Sequence, residues 1–253
     1  MISISAPKPT RQKRYAALGV LLLVLLWQLG YMLGGPFVLP APLGTAQRLL
    51  QLAVSDALWF PAIVTTWHVL AGYALGCAAG LALGLAGGTS QGLGTMLDNI
   101  SRVVLGIPPI IWVVLALFWF GPVGKVTIFT VAIGIAPIIF AGTLAGVHSV
   151  RPELNELAAA FNAPNTQRFR EIHLPQIMIP LLPALVTSLS LAWKMALMAE
   201  VLSGNTGIGG EIETTRAYLD TSGTMAWVMA ALILLLLTDM LLGKLTATLP
   251  LDG

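Results

Sequence analysis

The chain has 253 residues, of which 57% are hydrophobic and 9% charged, with a formal net charge of +2. A mean hydropathy of +0.86 is too apolar for a water-soluble core with a polar coat, so composition excludes an ordinary soluble domain and points to a protein embedded in lipid. The single cysteine, Cys77, lies in an apolar run, which leaves no intrachain disulfide and no paired-cysteine metal or redox site.

Six apolar stretches are predicted as membrane-spanning helices, at 15–33, 62–87, 99–120, 125–147, 177–202 and 225–245. Each is close to the about 20 residues that a helix needs to cross the hydrocarbon layer, and strand-type alternation is absent. A basic leader over 1–14 precedes the first span, whose end, "YMLGGP", is a poor cleavage site; the span is expected to be retained. Residues 15–253 then form one membrane domain. With the N-terminus inside, nine of the Lys and Arg residues fall on one side: Lys8, Arg11, Lys13, Arg14, Arg102, Arg151, Arg168, Arg170 and Lys244. Three fall outside, Arg48, Lys125 and Arg216, and Lys194 lies within a span. The bias toward the inner side predicts that both termini and the segment 151–175 are cytoplasmic.

The second span has glycine at every fourth position from Gly72 to Gly88, a spacing that lets two helix backbones approach closely. In the third, Pro108 and Pro109 remove two backbone donors at about mid-membrane depth. Irregular backbone there needs cover from protein or a watery cavity, and the residues fit a break lining a transport route as well as a plain packing kink. In the fifth, Lys194 is costly in lipid; it is expected either to snorkel outward or pair structurally, with Glu200 of the same or the other subunit as one candidate, or to draw an anion into the path beside Pro108 and Pro109. Glu200 and Asp239 are the acidic residues near span ends.

Enzyme chemistry is not visible. His68, His148 and His173 are scattered, so no metal site is expected. "GTSQG" at Gly88–Gly92 matches a nucleophile-elbow pattern but falls in a short loop between helices. "SGNTGIGG" at Ser203–Gly210 superficially looks like a phosphate loop, yet lacks the Gly-Lys-Ser/Thr ending and lies on the outer side.

Between the fourth and fifth spans the chain turns polar. Pro152 suits the first position of a helix, and Leu154, Leu157, Ala158 and Phe161 make one apolar stripe on an element too short to cross a membrane. Asn162 tolerates the left-handed conformation that stops helices, Pro164 prevents continuation, and Asn165 is positioned to cap a second short helix bearing Phe169 and Ile172, with Arg168 and Arg170 alongside. Such a helix-turn-helix fits either an interfacial element lying on lipid or a docking element for a partner.

This segment resembles the EAA loop of ABC importer permeases. The pattern falls on Glu156, Leu157 and Ala158, then Asn162, then Ile172, Leu174 and Pro175, with Leu157 in place of an alanine and Asn162 in place of a glycine. "VLPAP" at Val38–Pro42, "GIPPIIWVVLALFWFGPVGK" at Gly106–Lys125, "TLAGVHSV" at Thr143–Val150 and "AEVLSGNTGIGG" at Ala199–Gly210 are similar to stretches of the nitrate, sulfonate, taurine and bicarbonate importer permeases. The resemblance implies an all-α type I importer permease in a bacterial inner membrane. Its implied partners are a second permease subunit, two nucleotide-binding ATPase subunits that hold ATP and magnesium, and an external solute-binding protein delivering a small anion. No cofactor in this chain and no nucleic acid are implied. The rival from another class is a secondary transporter or channel, which would call for coupling carboxylates deep in the spans.

Overall fold

The computed structural model describes residues 9–204 and 206–247. Most of the basic leader, Lys8 included, and the side chain of Lys244 lie outside what is described. The described residues are mostly helical, with no strand. In chain order the helices are α1 (Pro9–Gly34), α2 (Pro42–Val54), α3 (Trp59–Gly87), α4 (Gln91–Gly106), α5 (Pro109–Phe120), α6 (Lys125–His148), α7 (Pro152–Ala160), α8 (Asn165–Arg168), α9 (Leu174–Ser203), α10 (Ile208–Ala217) and α11 (Thr221–Ala247). A π-helical turn, Phe169–His173, joins α8 to α9.

Five helices are long and apolar enough to span a membrane, and the count becomes six if α4 and α5 form one broken span. The expected third span is therefore not a single rod. Its halves meet at 91°. The cause is local: a residue before proline is driven out of the helical region, and here Ile107 (ψ 122) and Pro108 (ψ 137) both precede a proline and are both extended. At ~1.5 Å per residue, α5 with its 12 residues is about 18 Å long, too short to cross alone.

The bundle is organised around α6, which packs against α3 on one side and α9 on the other. The glycine ladder of α3 makes the first contact. A Cβ on Gly72 would sit 2.7 Å from Cβ of Val131, one on Gly80 would lie 2.6 Å from the carbonyl of Ala136, and Gly76 and Gly84 face Ile135 and Thr143 in the same way. The four-residue rows of the two helices interlock, so the expected close-packed helix is the one observed. On the other side Gly142 and Gly146 of α6 admit α9, and a Cβ on Gly146 would lie 2.6 Å from the carbonyl of Ile177. Val69, Val131, Ile135, Ala192, Trp193 and Ala196 fill the space among α3, α6 and α9. The helix α1 takes no part in this core; it is apolar and exposed, tied down by Trp27 Nε1 donating to the carbonyl of Pro40 at 2.9 Å.

Candidate functional site

Two regions concentrate polar groups: the α7–α8 segment at one end of α9, and the face and far end of α9 itself. In the first, Arg151 occupies the N-cap of α7 without a side-chain cap bond, and Pro152 starts the helix. The N–H of Arg151 instead donates to Gln176 Oε1 at 2.9 Å, which fixes the entry of α7 against the base of α9. His173 Nε2 lies 2.9 Å from Asn155 Oδ1 and makes a second tie. The helix ends as its sequence predicts. Asn162 is left-handed (φ 52), and the N–H of Ala163 reaches back to the carbonyl of Ala158 at 2.9 Å.

The second half corrects the expectation. Asn165 does not cap α8: Pro164 holds the cap position in extended conformation, and its carbonyl accepts from the N–H groups of Gln167 and Arg168. Nor is α8 a separate helix. It passes through the π-turn into α9, and 165–203 form one 39-residue rod. Pro175 accounts for the wide turn, because it has no N–H to donate to the carbonyl of Glu171 and its ring crowds that carbonyl. The N–H of Leu174 bonds Phe169 instead.

The apolar stripe divides. Ala158 is buried against the body, whereas Leu154, Leu157 and Phe161 are 37%, 55% and 78% exposed. Together with Ile172 and Arg168 they border a concavity of about 300 Å³. Phe169 and Leu174 are exposed as well, and so are Glu156, Arg170 and Pro175. This end of the molecule therefore presents an apolar surface rimmed by both signs of charge, the anatomy of a docking face rather than of a closed core.

At the other end of α9, Glu200 has no exposed surface. Its Oε2 accepts from Thr65 Oγ1 at 2.8 Å and from the N–H of Gly209 at 3.0 Å, and its Oε1 lies 2.8 Å from His68 Nδ1. The Thr65 hydroxyl in turn accepts from the N–H of Ile208 at 2.8 Å. The phosphate-loop look-alike thus wraps a carboxylate of its own chain. Gly207 is required there: its φ is 127, and a Cβ would lie 2.6 Å from the Glu200 carboxyl atoms. Glu200 is accordingly a clasp joining α3, α9 and the start of α10, and within the chain it forms no ion pair with Lys194.

Lys194 is exposed and has no ion-pair partner among the described residues. Pro108 and Pro109 open α5, which packs on α9 through Val113, Ala116 and Ala199. The break and Lys194 therefore belong to adjoining helices, while Glu200 has no exposed surface. Residue-by-residue reading missed Thr65 and His68. The signal was available: three polar residues, Thr65, Thr66 and His68, open an otherwise apolar 29-residue helix, and a polar group at such a position demands a partner.

Comparison with known proteins follows this geometry. A family model described as binding-protein-dependent transport system inner membrane component matches residues 76–246. A protein provisionally named as an aliphatic sulfonates transport permease, SsuC, of Escherichia coli (strain K12) is 31% identical over 88% of this chain and 82% of its own. The riboflavin transport system permease protein RibX of Chloroflexus aurantiacus is 32% identical over 80% of this chain and 76% of its own. The nitrate import permease protein NrtB of Leptolyngbya laminosa is 27% identical over 94% and 86%. Among solved structures, an amino acid ABC transporter superposes with a TM-score of 0.64 at 19% identity, covering 79% of this chain and 98% of that one. The MetNI methionine ABC transporter gives 0.58 at 18% identity, over 75% and 96%. At these identities the structures share the fold.

Proposed function

This chain belongs to the family of binding-protein-dependent transport system inner membrane components, and from that premise we propose that it conducts a small anionic solute as one of two identical permease copies. Membership makes it the multi-pass permease of an ABC importer, with ATP hydrolysis on a separate subunit. Lys194 carries the substrate reading. It is a basic side chain on the exposed face of a membrane helix, without an ion-pair partner among the described residues, and lipid does not tolerate it there. An anion in a water-filled path stabilises it. The names of relatives lean the same way, toward sulfonates, nitrate, bicarbonate and taurine, although one is named for riboflavin.

In this reading two ATPase subunits hold ATP and magnesium, the chain itself holds no cofactor, and an external binding protein delivers the solute. The exposed Leu154, Leu157 and Phe161 seat in a groove of the ATPase, with Glu156, Arg168 and Arg170 at its rim. Closure of the ATPase pair pulls on α7, and the ties through Gln176 and His173 pass that pull to the rod 165–203. Reconstitution with the ATPase and binding protein in liposomes tests the function. ATP-dependent uptake of a sulfonate or another small anion is expected, and uptake of neutral solutes alone would reject the anion reading.

The same reading places both termini and the α7–α8 segment in the cytoplasm, supported by the distribution of basic residues. With Cys77 replaced by serine, single cysteines at the exposed positions Thr166 and Thr214 are expected to react with an impermeant thiol reagent from opposite sides of the membrane. Labelling of both from one side would overturn the topology.

A further inference from the structure

The break between α4 and α5 leaves backbone that the chain itself does not serve. In an unbroken helix the carbonyls of Val104 and Leu105 accept from the residues four positions on, but these are Pro108 and Pro109, which have no N–H. The carbonyl of Val104 is met instead by the N–H of Ile107 at 3.3 Å, and no hydrogen bond among the described residues reaches the carbonyls of Leu105 or Gly106. Gly106, Pro108 and Pro109 are all exposed. The break also lies near the middle of the broken span, 91–120, where no headgroup or bulk water reaches a lipid-facing surface.

Lipid cannot cover backbone of this kind. A water-filled path does not suit it either, because α5 has no charged, amide or hydroxyl side chain in its 12 residues. The exposed side chains that flank the break are Ile100 and Val103 before it and Ile110, Ile111, Val114 and Phe118 after it. With their other faces both arms lie on the body of the chain, α4 through Ser101 to Pro137 and α5 through Val113 and Ala116, while α1 and α11 pack with α2. Burial in protein is the remaining cover. Of the partners in the reading above, the ATPase subunits meet the α7 end and the binding protein the opposite end, so the second copy alone reaches this depth.

We propose that the broken span is the contact between the two permease copies, the exposed faces of α4 and α5 meeting their own equivalents across a two-fold axis. The six flanking side chains expose on the order of 600 Å², most of the ~800 Å² that each partner gives a standard interface. The inference rests on the two-copy reading and goes beyond it by naming the shared surface. It assigns Pro108 and Pro109 to assembly rather than to the solute path.

Disulfide formation in membranes that hold the assembled transporter tests the assignment. With Cys77 replaced by serine, Ile110→Cys, Val114→Cys and Phe118→Cys place single thiols one turn apart on the exposed face of α5, and Leu236→Cys places one on the exposed face of α11 as a control. An axis crossing the α5 face brings equivalent positions of two copies together, so oxidation is expected to shift at least one of the three from monomer to linked dimer on a denaturing gel and to leave the control monomeric. Linkage at Leu236→Cys equal to or stronger than at the α5 positions overturns the proposal, as does absence of linkage at all of them. Reaction of Val114→Cys with an impermeant aqueous thiol reagent also overturns it, since that marks a water path. Native mass spectrometry of the same complex keeps the two questions apart: one permease copy per complex ends the two-copy reading, whereas two copies without linkage at α5 end only the assignment of the interface.

Discussion

Phe161→Asp is expected to release the ATPase from the permease while leaving the permease folded. Phe161 is 78% exposed in the chain by itself, and its backbone contribution, the N–H bonded to the carbonyl of Leu157 at 3.2 Å, survives any side chain. The substitution therefore costs the isolated chain little. In the docked state the same position is central to the apolar patch formed with Leu154 and Leu157, and an aspartate there is a buried charge without a partner. That costs about 3–5 kcal/mol, or roughly a hundred- to several-thousand-fold in affinity. Copurification of the ATPase through a tag on this chain reads the loss, and a monodisperse elution profile confirms that the permease is intact. Phe161→Leu keeps the apolar contact and should retain the complex. Normal copurification and normal transport by Phe161→Asp would remove α7 as the docking element.

The contrast between that region and the rest shows what the sequence makes legible. Long apolar runs dictate spans directly, because only a helix satisfies its backbone in lipid, and α3, α6, α9 and α11 begin and end within a few residues of expectation. The glycine ladder was equally readable, since a four-residue spacing of residues without side chains has one good packing use. Proline was harder. That Pro108 and Pro109 disturb a helix is a local fact, but whether the two halves then kink or meet at 91° depends on what α6 and α9 offer the second half. Pro175 acts in the opposite direction: it ends no helix, because a single π-turn absorbs it and the rod continues. Least legible was the Glu200 clasp. Thr65 and His68 lie more than a hundred positions from Glu200, and two of the clasp's donors are backbone N–H groups, which carry no signature in a sequence. The glycines that make room for it imitate a phosphate loop because both solve one problem, bringing backbone donors to an anion.

Loss of that clasp should have the largest effect on the stability of the chain. Glu200→Ala removes the acceptor for the Thr65 hydroxyl and for the N–H of Gly209, and strips His68 Nδ1 of its partner, in a site whose residues are all buried. Leaving such groups unpaired costs about 3–5 kcal/mol when one member of a buried charged network is deleted. Glu200→Gln keeps the shape and one carbonyl oxygen, which can serve Thr65 or Gly209, and should cost about 1–3 kcal/mol. Reversible unfolding of the purified permease in mixed micelles measures both. The order wild type, then Gln, then Ala is expected, and an alanine variant as stable as the wild type would show that the clasp does not hold the fold. The double variant His68→Ala/Glu200→Ala separates pairing from packing. If the two side chains act as one unit, it should be no less stable than Glu200→Ala by itself, because the second deletion removes a group already left without a partner. The consequence for transport follows from position: the rod 165–203 is tied to α7 at one end and held by this clasp near the other. A rod loose at the clasp absorbs a pull from α7 without moving α3 and α10. Glu200→Gln should therefore lower solute uptake by more than it lowers ATP hydrolysis in the assembled transporter, whereas a change confined to ATPase docking lowers both together.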